Sequence, residues 1–217
     1  MEKLMIKQND PSVIELGKAD PQMNKLIHAV GDIEVAMRPD LFKSLVRSII
    51  GQQISVAAAS AIFKRLETML ENHITAEAIS VVSDEQLRTI GLSGRKVIYL
   101  RDLAEKILRS EIVLDALHEL DNDTVVKQLT SIKGIGKWTA EMFLVFSLGR
   151  MNVLAVDDIG IQRGAKWLYE VDKSERRKIL LDRKTVWSPH LTIASFYLWE
   201  IEHLDFERKY ESIDDLQ

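Results

Sequence analysis

Two stretches of this chain bring together residue types that could do chemistry. In Leu129-Thr-Ser-Ile-Lys-Gly-Ile-Gly-Lys-Trp-Thr-Ala140, Gly134 and Gly136 flank an apolar residue, and Lys133 and Lys137 flank the glycines. Read as a helix, a tight turn and a second helix opening at Lys137 or Trp138, it presents free backbone amides at a helix start. Glycines let that backbone come close to an outside group, and helix-start amides favour an anion. The two lysines suit a phosphate. Ile132 and Ile135 are placed to bury the hairpin, with the Gly136 and Lys137 amides facing outward. Such a clamp holds a nucleic-acid backbone without reading sequence. The bland reading of a bare Gly-x-Gly, a turn joining two packed helices, stays open beside it.

The second stretch is Val156-Asp157-Asp158, just ahead of a helical pattern near 159–170. One aspartate there is a good N-cap. Two in a row leave one without a capping duty. An anion clamp and a carboxylate together point to chemistry on a phosphate-bearing polymer.

Helices must position these groups. Apolar residues recur with helical period near 21–30, 39–51, 55–71, 83–90, 94–110, 122–132, 137–148, 159–170, 174–181 and 189–204, and no stretch alternates over strand length. Asp20-Pro21 and Arg38-Pro39 open helices, Ser83 and Ser93 cap them, and Gly31, Gly91 and Gly149 follow helix ends. The expected fold is all-α, one domain over 1–217 made of two helical lobes. The hairpin of 122–148 is expected near their junction, with the carboxylates facing the cleft. The acidic end from Glu211 reads as a frayed tail.

Composition narrows the chemistry further. The 217 residues include no cysteine, which excludes disulfides, thiol catalysis and thiolate-held iron–sulfur clusters. The histidines at 28, 73, 118, 190 and 203 form no metal-binding pattern, so neither a metal nor a cofactor is expected. Apolar runs are short and broken by charge, so no membrane span is expected. The first residues lack the apolar core of a secretory signal, which gives a cytosolic or nuclear expectation. Net charge is −4, an argument against nucleic acid, yet residues 127–184 hold twelve Lys and Arg against seven Asp and Glu. That local excess fits either solvated helix faces or a basic surface including Lys133, Lys137, Arg163 and Lys166.

The motif Leu129-x-x-Ile-x-Gly-Ile-Gly-x-Trp-Thr-Ala140 followed by Val156-Asp-Asp158 resembles the helix-hairpin-helix superfamily of base-excision DNA glycosylases. Within it, the chain is similar to the 3-methyladenine DNA glycosylase II group (the AlkA/Mag type). Phe42-x-x-Leu-x-x-Ser-Ile-Ile-Gly-Gln-Gln-Ile-Ser55 fits the resemblance too, as do Gly91-Leu-Ser-x-x-Lys96 and Trp187-x-Pro189 running to Tyr197-Leu-Trp199. It covers about residues 20–204, and the form it resembles is the compact helical one, so the N-terminal β-rich domain of some members is not expected.

The resemblance implies a monomeric enzyme that removes alkylated bases, such as 3-methyladenine and 7-methylguanine, from duplex DNA. Asp158 matches the catalytic aspartate that stabilises an oxocarbenium-like sugar and orients water, which leaves Asp157 as the better candidate for cap or support. Strand-cutting relatives carry a lysine where Trp138 stands. Lys137 lies one residue earlier, about 100° round the helix, so the implied enzyme is monofunctional. Trp138, Trp187 and Trp199 are implied as base-pocket walls, against the alternative that such aromatics are core. Gln52, Gln53, Ser55, Arg95, Lys96, Lys133, Gly134, Gly136, Lys137 and Thr139 are implied DNA contacts, with Gln53 in the wedge position. His190 and Leu191 depart from the aromatic and arginine of relatives. A non-catalytic module that binds distorted DNA is the competing function.

Overall fold

The computed structural model describes residues 2–216, and these are predominantly helical. They divide into two compact units. Unit 1 takes the residues up to Met37 and those from Gly149 onward; unit 2 is the continuous stretch Arg38–Leu148.

Unit 1 opens with β1 (Lys3–Ile6), then α1 (Pro11–Ala19), α2 (Pro21–Val30) and β2 (Ile33–Ala36). The strands pair antiparallel from Lys3 opposite Ala36 to Ile6 opposite Ile33. This ribbon departs from the expectation of no strands: Ile33 and Val35 are buried and Glu34 and Ala36 exposed, but four residues are too few to register as a period. Helix α1 was also not expected; Pro11 supplies its first turn after Asp10. After Gly149 come α10 (Ile159–Leu168), α11 (Arg176–Trp187), α12 (Leu191–His203) and the short α13 (Phe206–Lys209). Helix α11 runs six residues beyond the expected end at 181. The core of this unit gathers Leu16, Met23, Leu26, Ile161, Leu168, Leu180, Trp187, Tyr197 and Ile201.

Unit 2 contains α3 (Leu41–Gly51), α4 (Val56–Met69), α5 (Ala76–Val81), α6 (Asp84–Thr89), α7 (Gly94–Leu108), α8 (Asn122–Thr130) and α9 (Lys137–Phe146). Asp40 caps α3 through the Lys43 amide, so Pro39 stands ahead of the cap and does not open the helix as Arg38-Pro39 suggested. Ser83 and Ser93 cap α6 and α7 as their sequence pattern predicts. Gly91 adopts φ +102, a conformation open to glycine and costly for other residues. The core here is Leu45, Ile49, Ile50, Leu66, Ile79, Leu87, Leu100, Leu103, Val125 and Leu129.

Candidate nucleic-acid interface and carboxylate site

In unit 2 the glycine hairpin joins α8 to α9. Ile132 and Ile135 are buried, which anchors the turn, while Gly136 and Lys137 are exposed. Helices α2 to α8 and α10 each take a side-chain cap; α9 has none, its N-cap being Gly136. Its first-turn amides therefore form an anion-binding end. The two glycines serve different purposes. Gly134 has φ +82, and a Cβ there would strike the Tyr99 ring, whereas a Cβ on Gly136 would meet nothing within 4 Å.

The flanking lysines are paired. Lys133 Nζ lies 3.4 Å from Asp102 Oδ1, and Lys137 Nζ lies 3.6 Å from Glu141 Oε1, with both ammonium-bearing side chains more than 60 % exposed. Each ammonium faces solvent while its carboxylate is largely buried, the Asp102 side chain 13 % exposed and that of Glu141 9 %, so the lysines present their charge outward from a fixed acidic partner. Thr139 is buried, 9 % exposed, which leaves its first-turn amide as the group it offers at this helix end; Trp138 next to it is 50 % exposed.

The Gln-Gln turn joins α3 to α4. Ser55 caps α4 by accepting the Ala58 amide at 3.2 Å. Gln53 is exposed and left-handed at φ 58, a conformation that costs a non-glycine residue about 1–2 kcal/mol. Gln52 points the other way, its Nε2 donating to the Gly134 carbonyl at 2.6 Å. Beside Gln53, Ile54 and Val56 are exposed apolar residues, Val56 at 84 %, which sequence reasoning did not single out. Arg95 is exposed, but Lys96 is half-buried with its Nζ donating to the Ile50 carbonyl at 2.7 Å. Desolvation holds the Lys96 ammonium below the ordinary lysine range.

In unit 1, Asp158 caps α10. Its Oδ1 accepts the Ile161 amide at 2.9 Å and the Trp199 indole Nε1–H at 3.0 Å, and the residue is 7 % exposed. The assignment of capping to Asp157 is therefore corrected: Asp157 is exposed and paired with Arg177 Nε at 2.8 Å. The approach of Trp199 depends on two glycines. A Cβ on Gly164 would run into the Leu198 carbonyl, so its absence lets α10 and α12 pack backbone to backbone. A Cβ on Gly160 would sit 2.9 Å from Trp199 Cδ1 and 3.2 Å from Asp158 Oδ1. The result is a buried carboxylate held in one orientation by a backbone dipole and an indole, suited to stabilising positive charge and to accepting a proton from water.

Trp187 lies elsewhere. It is 0 % exposed, and its Nε1 donates at 2.9 Å to the buried Asp20, which also accepts the Tyr169 hydroxyl at 2.6 Å. Trp187 is a core residue with a satisfied indole and presents no wall to a base, which corrects that expectation. Tyr197 is likewise enclosed, its hydroxyl donating to the Gly31 carbonyl at 3.2 Å. His190 pairs with Glu15 at 2.9 Å, and Leu191 is buried at the start of α12. Among the described residues no cluster of His, Asp and Glu could hold a metal ion, and no helix is long and apolar enough to cross a membrane.

Residues 46–189 match the HhH-GPD superfamily of base excision DNA repair proteins. A DNA-3-methyladenine glycosylase 1 from Schizosaccharomyces pombe is 32 % identical over 197 residues, covering 88 % of this chain and 86 % of its own. The crystal structure of a DNA-3-methyladenine glycosidase from Bacillus halodurans superposes with a TM-score of 0.91 at 39 % identity, over 98 % of both chains. The S. pombe 3-methyladenine DNA glycosylase in complex with abasic DNA superposes with a TM-score of 0.79 at 32 % identity, over 89 % of this chain and 97 % of that one. The matched stretch takes in the Gln-Gln turn, the uncapped hairpin and Asp158, and the chain belongs to the HhH-GPD superfamily of base excision DNA repair proteins.

Proposed function

We propose that this protein is a monofunctional DNA glycosylase that hydrolyses the N-glycosidic bond of alkylated bases in duplex DNA. The observation that carries the reading is Asp158, a buried carboxylate fixed by the Ile161 amide and the Trp199 indole, in a chain whose relatives are named for 3-methyladenine. The hairpin amides at Gly136 and Lys137 hold a phosphate, and Gln53 supports the gap left when the base is extruded. As the bond between C1′ and the base nitrogen breaks, its electron pair leaves with the base. Asp158 balances the positive charge on the sugar, water adds to C1′, and its proton passes to the carboxylate and on to solvent. A base that already carries positive charge leaves neutral and needs no acid, so 3-methyladenine and 7-methylguanine are the favoured substrates. Trp138 offers no amine to attack the sugar, so the strand stays intact. Trp199, beside Asp158, is the aromatic surface for a cationic ring.

Incubating the protein with methylated duplex DNA and identifying the released bases by chromatography tests this reading. Release of 3-methyladenine, with an intact abasic strand and no protein–DNA adduct trapped by borohydride, is expected. The competing reading, a non-catalytic binder of distorted DNA, draws on the capping duty of Asp158, which by itself accounts for a carboxylate there. Tight binding to abasic DNA with no base released would favour it.

A further inference from the structure

Four side chains of unit 2 tie the Gln53 turn to the glycine hairpin. Lys96, Tyr99 and Asp102 recur at i, i+3 and i+6 on α7, which places them along one face. Lys96 Nζ holds the Ile50 carbonyl in the last turn of α3, where a cation is favoured by the helix dipole. Tyr99 fills the space that a Cβ at Gly134 would need. Asp102, whose side chain is 13 % exposed, accepts the Lys133 amide at 2.8 Å. Gln52 closes the ring by donating to the Gly134 carbonyl at 2.6 Å.

We propose that this face of α7, with Gln52, is a brace that fixes the Gln53 turn relative to the hairpin, and that Lys96 and Gln52 are positioning residues and not contacts to DNA. The inference rests on the reading that Gln53 and the hairpin engage DNA. Extruding a base while holding its strand requires both elements at one set separation, and a misplacement of about 1 Å is enough to lower such a step strongly. The left-handed conformation of Gln53 also needs enforcement from its surroundings, and the bonds at Ile50 and Gln52 fix the chain that leads into it.

The test uses the full chain with Lys96→Met, Lys96→Arg and Gln52→Ala, each compared with parent. Three quantities are read: the salt dependence of binding to an abasic duplex, single-turnover excision on paired and single-stranded lesions, and hydrogen exchange at residues 50–55 of the free protein. The brace predicts an unchanged salt slope for Lys96→Met and Gln52→Ala. It predicts about a tenfold loss on the paired lesion, near-parent rates on the single strand, and faster exchange in the turn, with Lys96→Arg close to parent. Adding Gln53→Ala to Gln52→Ala is expected to cost nothing more on the paired lesion. A salt slope reduced by about 0.9 for Lys96→Met makes that lysine a phosphate contact and overturns the proposal. Unchanged exchange, or equal losses on both substrates, overturns it as well. If the parent releases no base from any substrate, the glycosylase reading fails, and the exchange measurement still decides the brace.

Discussion

Asp158, Trp199 and Gly160 form a set in which each side chain, or its absence, sets the next. Asn is as good a helix cap as Asp, so Asp158→Asn is expected to leave the melting temperature near parent while lowering base release by about 10²–10⁴-fold. Single-turnover kinetics beside thermal unfolding separates the two roles. If the capping function were the whole story, turnover would follow stability and hardly change. Trp199→Phe removes the donor at 3.0 Å but keeps an aromatic ring. Turnover is expected to fall about tenfold with affinity for an abasic analogue nearly unchanged. Gly160→Ala reaches the same end from the other side, because its methyl pushes the indole off the carboxylate. Had Gly160→Ala kept parent turnover, the indole contact would not matter to the reaction. At this scale the carboxylate was legible in the sequence, but its orientation was not. The cap pattern admits either aspartate, and the donor that selects Asp158 sits on a helix 41 positions away. Trp187 was opaque for the same reason, since its partner Asp20 is 167 residues distant and only folding brings them together.

Elements were the most readable level, because Pro, Gly and Ser or Asp at helix ends act locally. Helices α2, α3, α4, α7, α8, α9, α10 and α12 lie within a few residues of their expected spans. The ribbon of β1 and β2 was not legible, because pairing across 26 intervening residues supplies what its short period cannot. The hairpin glycines look equivalent in sequence and differ in the structure, which makes a prediction. Gly134→Ala meets both a φ of +82 and the Tyr99 ring, and is expected to destabilise the protein by about 1–3 kcal/mol in denaturant unfolding. Gly136→Ala has ordinary φ of −92 and open space, so stability should stay near parent. Its methyl would stand where a phosphate approaches, and affinity for abasic duplex is expected to fall instead. Equal stability losses for both variants would place Gly136 in the packing and not at a DNA-facing surface.

Across the molecule, unit 1 stores its polar commitments in the interior. Burial pushes the Tyr197 phenol up to about 12, and burial with the neighbouring Asp20 raises Tyr169 still further. Both phenols bind their protons more tightly when folded, so their stabilising contribution is complete below pH 10 and is lost as pH rises from there through the folded values. The loss approaches about 1.4 kcal/mol per pH unit for each tyrosine. Alkaline unfolding of unit 1 is therefore expected above pH 10, and Tyr197→Phe should flatten that limb in a pH series of unfolding midpoints. An unaltered limb would show that Tyr197 ionises as readily folded as unfolded.

The division of the chain gives the two units different histories during synthesis. Unit 2 is continuous, and its own ends are joined where the Arg38 amide donates to the Phe146 carbonyl at 2.8 Å. Its whole sequence is available once residue 148 has left the ribosome. Unit 1 waits for its second segment, and meeting across an unfolded loop of roughly a hundred residues would cost about 4 kcal/mol in chain entropy. A folded unit 2 shortens that loop to the gap between its joined ends. Unit 2 is thus expected to act as a clasp for the nascent chain, folding first and delivering the segment that carries Asp158 to a partner made long before it, which earlier protection of residues 38–148 in pulsed hydrogen exchange during refolding would check.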